Sequence, residues 1–189
     1  VERSRGLGDV YKRQTFDGPV RSRAGFQSIG PGSTVALTAA TNLTVAAHAG
    51  RILTMDPVGT PTAITLPSIV GGADSASAGP GRDPNNPSTI GTTFEIVFID
   101  EFTGTISTDG TDKFVGAVMI GVDDGSKKAF VPTAANDIVN LNGEAGAGNA
   151  TKGGLIGSRI KFTATAENTY MVEGLLIGDG TIVTPFSGS

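Results

Sequence analysis

Eighteen acidic residues, one histidine and no cysteine set the chemistry open to this 189-residue chain. Paired carboxylates do general acid–base work, and acids on loops are the usual ligands of Ca²⁺. Asp100-Glu101 and Asp123-Asp124 are adjacent pairs. On a strand such neighbours point to opposite faces, which is wrong for a shared acid–base site. Asp109-Gly110-Thr111-Asp112 and Asp123-Asp124-Gly125 set oxygen ligands beside glycine, but both lack the alternating acids and closing Glu of an EF-hand loop. These acids are expected to make turns. His48, in Ala46-Ala47-His48-Ala49-Gly50, is the sole imidazole. A catalytic base needs a nucleophile and an orienting partner, and no Gly-x-Ser-x-Gly elbow occurs. It reads as a half-buried histidine at a strand end, hydrogen-bonded to backbone. The glycine-rich run 143–154 lacks phosphate-loop spacing and has no following helix, so it reads as a loop. The sequons Asn42-Leu43-Thr44 and Asn149-Ala150-Thr151 arise easily by chance in a Thr-rich chain. No catalytic, cofactor-binding or metal-ligating residue is nominated, and no cofactor is expected.

Composition narrows the classes further. Without Cys the chain is not a disulfide scaffold, a Cys-ligated zinc domain or a thiol enzyme. With 28 Gly and 23 Thr among 189 residues, long helices are disfavoured, since Gly costs about 1 kcal/mol against Ala inside a helix. Two Tyr and no Trp leave little for an aromatic platform that stacks on sugar rings. A carbohydrate-binding or adhesin module is therefore the alternative reading, and an enzyme is not expected.

The elements that would position these side chains are strands. Period-2 alternation recurs at 34–38, 42–46, 51–55, 62–66 and 93–99. In the last run Phe94, Val97 and Ile99 cannot all face one side, so both faces are expected to be covered. Residues 103–107 are expected to pair with 113–118 as a hairpin across Asp109-Gly110, and 117–122 with 128–131 across Asp123-Asp124-Gly125. Further strands are expected at 138–141, 159–163, 170–175 and 181–183, and no run shows helical periodicity over ten residues. The fold class is all-β: a single-domain antiparallel β-sandwich or jelly-roll-like barrel. Residues 71–90, with Pro80, Pro84 and Pro87, read as a long surface loop, and 143–154 as a flexible connection.

Charge divides the chain. Residues 1–25 hold six Lys/Arg against three acids, and 26–189 hold eight against fifteen, so +3 and −7 sum to the chain's −4. The opening Val1–Gln14 stretch, VERSRGLGDVYKRQ, resembles translated sequencing-adapter read-through. Residues 1–25 are accordingly expected to be a disordered, non-native stretch, and 26–189 the β-sandwich domain. An acidic body argues against nucleic acid as partner. No apolar run approaches the roughly 20 residues that span a bilayer, so no membrane partner is expected.

Several stretches carry a resemblance when taken in order. They are Val45-Ala46-Ala47-His48-Ala49-Gly50-Arg51, then Ala63-Ile64-Thr65-Leu66-Pro67, then Phe94-Glu95-Ile96-Val97-Phe98. The C-terminal part follows: Lys152-Gly153-Gly154-Leu155-Ile156-Gly157, Tyr170-Met171-Val172-Glu173-Gly174-Leu175, and Thr184-Pro185-Phe186. From residue 42 onward this order resembles small virion structural proteins of marine tailed bacteriophages, in head-decoration and fibre-like forms. The sequence departs from them in the length of 71–90 and in Tyr170, where related chains often carry Trp. The resemblance implies a non-enzymatic capsid decoration or accessory protein located in the virion. It also implies a homo-oligomer, with a trimer favoured, docked on other virion proteins such as the major capsid protein.

Overall fold

Alternating apolar and polar residues become alternating buried and exposed side chains in most strands of the computed structural model, which describes residues 33–56, 62–72, 88–123, 125–144 and 149–189. The expectations for 1–25, for most of 71–90, for Asp124 and for 145–148 lie outside these residues. In chain order the elements are β1 (Thr34–Leu37), β2 (Thr41–Asn42), α1 (Val45–His48), β3 (Ile52–Met55), β4 (Thr62–Thr65) and β5 (Thr93–Phe98). There follow β6 (Thr103–Ser107), β7 (Lys113–Gly121), β8 (Lys127–Phe130), β9 (Ile138–Asn142), β10 (Arg159–Ala166), β11 (Thr169–Ile177) and β12 (Phe186–Ser187).

The strands form two open sheets packed face to face, an all-β sandwich. One sheet has seven strands in the order β1-β3-β5-β10-β11-β7-β8, and the other has five in the order β12-β9-β6-β4-β2. Among the described residues neither sheet closes on itself, so the barrel alternative is not the architecture. The sheets are mixed rather than antiparallel. From β1 to β7 the chain passes from one sheet to the other at every step. A strand in the opposite sheet thus serves as the crossover that parallel neighbours require. This makes β1–β3, β3–β5, β2–β4 and β4–β6 parallel, and β7 also pairs parallel with β11.

The same alternation overturns the first expected hairpin. Residues 103–107 and 113–118 sit in different sheets, with Ile106 and Phe114 both buried in the shared core. The second hairpin is present: β7 and β8 pair antiparallel with Gly121 opposite Lys127. So is a tight β10–β11 hairpin, where Asn168 takes the left-handed φ of 58° that Asn tolerates better than most residues. The expected strand at 42–46 is instead two residues of strand and one helical turn, capped by the Thr44 hydroxyl accepting from Ala47 N–H at 3.3 Å. Residues 181–183 are not a strand; β12 closes the sheet in their place.

The core joins both layers. Phe94, Ile96, Phe98, Phe162, Val172 and Leu176 from the larger sheet meet Ile64, Ile106, Val139 and Phe186 from the smaller. Phe114 lies 5.4 Å from Phe162 and 6.5 Å from Phe186, so one ring bridges the layers in tilted aromatic contacts. On β5 the buried residues are Phe94, Ile96 and Phe98, while Val97 is half-buried and Ile99 is 51% exposed. The second face of β5 is therefore not covered as expected. Among the described residues no helix is long and apolar enough to cross a membrane.

Candidate functional site

Two of the acids singled out in the sequence, Asp109 and Asp112, lie where the chain crosses between sheets. Asp109 Oδ1 accepts the backbone N–H groups of Thr111 at 2.9 Å and Asp112 at 3.1 Å, and its Oδ2 accepts from the Ser68 hydroxyl at 2.7 Å. The Ser68 bond, against a weaker effect of burial, holds the Asp109 carboxyl below the usual carboxylate range. Asp112 Oδ2 accepts Ile69 N–H at 2.9 Å, and the Asp112 backbone carbonyl accepts from the Thr108 hydroxyl at 2.7 Å. Burial pushes the Asp112 carboxyl up; the Ile69 bond opposes this and the Asp109 charge adds to it. The Tyr170 hydroxyl donates to Pro67 O at 2.6 Å in the same region, and burial with the charges of Asp112 and Asp109 raises that phenol too.

Asp137 sits one step further along. Burial works to raise its carboxyl, but hydrogen bonds from Lys113 Nζ at 2.6 Å and from the Ser189 hydroxyl and N–H, both at 2.9 Å, together leave it below the ordinary value. Lys113 Nζ also donates to Gly110 O at 2.6 Å, and the Asp137 carbonyl accepts Thr108 N–H at 3.0 Å. One belt of polar groups thus ties the end of β4, the β6–β7 crossing, the segment before β9 and the residues after β12. It has a mechanical use: it fixes the path of the chain between layers. Asp109 does make a turn, as the sequence suggested, through the Thr111 and Asp112 N–H groups.

The other candidates serve local structure. Asp100 Oδ1 accepts Glu101 N–H at 2.8 Å. Asp123 is exposed. His48 is half-buried and its Nδ1 accepts Thr44 N–H at 3.0 Å, on a helical turn rather than at a strand end. Among the described residues no three His, Asp or Glu side chains gather as a metal-binding group. Asn42 and Asn149 of the two sequons are both exposed.

The glycine-rich run is pinned rather than flexible at its described ends. Asn142 donates through Nδ2 to Asn149 O at 2.6 Å and to Thr151 Oγ1 at 3.1 Å, and its Oδ1 accepts Lys152 N–H at 2.7 Å. Gly143 and Gly154 are buried with backbones so close that a Cβ on Gly143 would meet Gly154 O at 2.1 Å. The base of 71–90 is similarly closed, with Thr89 N–H donating to Val70 O and the Thr89 hydroxyl accepting Val70 N–H, both at 2.8 Å.

The feature that residue-type searching passed over lies on the outer face of the seven-stranded sheet. Beyond Lys113, which is half-buried and paired with Asp137, the outward positions of β7 are Val115, Ala117 and Met119, with no polar residue among these three. In register on β11 are Met171, Glu173 and Leu175. Val115, Met119 and Leu175 are 45%, 42% and 47% exposed. Beside this stripe, Glu95 pairs with Arg159 at 2.6 Å and Lys161 with Glu173 at 3.0 Å. A solvated sheet face is normally polar, so the apolar outward residues of β7, with Met171 and Leu175 on either side of Glu173 on β11, stand out from the rest of the face. The signal available in the sequence was Val115-Gly116-Ala117-Val118-Met119, five residues with no polar side chain.

Comparison with known proteins finds no matching family model, no matching curated protein and no matching solved structure.

Proposed function

We propose that the chain is a non-enzymatic structural protein of a virion, a capsid decoration or accessory component acting through self-association and docking on other virion proteins, the major capsid protein among them. One observation carries the reading. Asp112 and Asp137, each 1% exposed, are engaged in internal hydrogen bonds that lock the chain crossings and the residues after β12 together. Groups of this kind do chemistry when they line a cleft; here they brace a scaffold. The order of sequence stretches that resembles phage virion proteins supports the same role. Proteomics of purified virions from a phage encoding the chain tests it: a fixed stoichiometry to the major capsid protein is expected. Its absence from intact particles, or avid binding on a glycan array, overturns the reading, the latter in favour of the carbohydrate-binding alternative.

A further inference from the structure

We propose that the outer stripe of β7 and β11 is where two copies of this chain pack face to face about a two-fold axis. The inference names the partner and surface of the self-association in the proposed function, and so rests on that reading. The apolar residues are Val115, Ala117, Met119, Met171 and Leu175, and Ala129 of β8 continues the row through Met119 and Leu175. A two-fold contact places one patch against itself, so no second complementary surface is needed.

Charge selects the occupant. The ionised groups of β5, β10 and β11 next to the stripe, Glu95, Glu173, Arg159 and Lys161, sum to zero and are paired within the face, and Lys127, opposite Gly121 on the same side of β8 as Ala129, adds one positive charge at its margin, on a chain of net charge −4. Two acidic copies can meet there with each acid of the face already paired to a base. A nucleic acid or an anionic membrane would call for a positive surface, and a basic partner for a negative one. The sheet edges point the same way. Edge strand β8 carries Lys127 and Lys128, and the edges of the smaller sheet, β2 and β12, are two residues each. Lysine and shortness both blunt strand-to-strand addition at these three edges; the fourth edge, β1, is four residues without a charge. β8, β7, β11 and β10 at ~4.8 Å spacing, with ~3.3 Å per residue along β7, give a face on the order of 19 by 30 Å, or about 570 Å². That is below the ~800 Å² per partner of a standard interface and fits a weak, reversible dimer. A two-fold contact of this kind closes with two copies, in place of the trimer that the resemblance implies.

The test is sedimentation velocity on the full chain from 1 to 200 µM, combined with methyl-methionine NMR. The chain has three Met. Met119 and Met171 lie on the face, whereas Met55 is fully buried. A concentration-dependent dimer is expected, with the Met119 and Met171 resonances shifting and Met55 still. Leu175→Lys and Met119→Lys should each weaken the dimer at least tenfold with the circular dichroism spectrum and Tm retained. Ile156→Lys, at a 57% exposed loop position, should leave it intact. A monomer at 200 µM, a trimer mass, or a dimer whose Met119 and Met171 signals do not move overturns the proposal. Should Leu175→Lys and Met119→Lys both fail to fold, the wild-type NMR shifts alone decide it. Finding the chain in virions while it stays monomeric in solution would sink this inference and leave the virion role standing.

Discussion

Tyr170 keeps its ring in the core, 1% exposed, and its hydroxyl on Pro67 O at 2.6 Å, so one side chain fastens the end of β4 to β11. Tyr170→Phe keeps the packing and leaves a carbonyl without its donor. A loss of about 1 kcal/mol is expected, read as a lower urea midpoint with an unchanged m-value. Asp112 answers a different question, because burial holds its carboxyl above the ordinary range. An acid with a raised folded-state pKa is penalised when ionised, so its burden on stability is full above the folded pKa and disappears below the unfolded one. Asp112→Asn retains an oxygen for Ile69 N–H and carries no charge. The stability difference between variant and wild type should therefore favour the variant most at pH 7 and move toward wild type as pH falls to 3. Equilibrium unfolding at the two values checks this, and an unchanged difference would refute the raised pKa. Asp109 and Asp137, both lowered, have the opposite sign: their contribution is present above the unfolded value and is lost as pH falls through the folded one.

β7 shows at the scale of an element what sequence patterns carry and what they omit. Its alternation was legible, since Phe114, Val118 and Ile120 are buried as a period-2 reading requires. Gly116 interrupts the pattern at φ 106°, opposite Val172 on β11, and a Cβ there would meet Val172 O at 2.3 Å. Gly116→Ala must twist the parallel β7–β11 pair or break it. A loss of about 2 kcal/mol or more is expected, with amide exchange accelerated first at Val172 and its neighbours, a pattern that uniform destabilisation would not give. Strand positions were readable because burial on one face is a local pattern. Sheet membership was not. Asp109-Gly110 has the composition of a hairpin turn, but the bonds from Thr108 to the Asp112 carbonyl and from Ile69 to the Asp112 carboxylate steer the chain into the other layer. Those partners are more than forty residues apart in one case, beyond the reach of any turn signal. The same gap hid the candidate interface: which side of Val115–Met119 faces out is settled only once the second sheet takes the other side.

For the molecule as a whole, the balance between a face with a single excess positive charge and an acidic body makes a prediction about salt. Two copies of net charge −4, with centres on the order of 25 Å apart, repel by about 2.7 kcal/mol in unscreened water. At 50 mM salt the screening length is about 14 Å, which leaves about 0.4 kcal/mol. Raising NaCl to 500 mM removes nearly all of that remainder. The pairs Glu95–Arg159 and Lys161–Glu173 lie within each copy, so screening them breaks no bond between copies. The dimer is therefore expected to tighten by about two-fold between 50 and 500 mM NaCl, since a tenfold change takes about 1.4 kcal/mol. An interface built on ion pairs between copies would loosen over the same range, because exposed charge pairs weaken as salt screens them. Sedimentation velocity at the two salt concentrations separates these outcomes. Tightening fits contact through the β7–β11 stripe, and loosening would move the interface to the charged surface of the body.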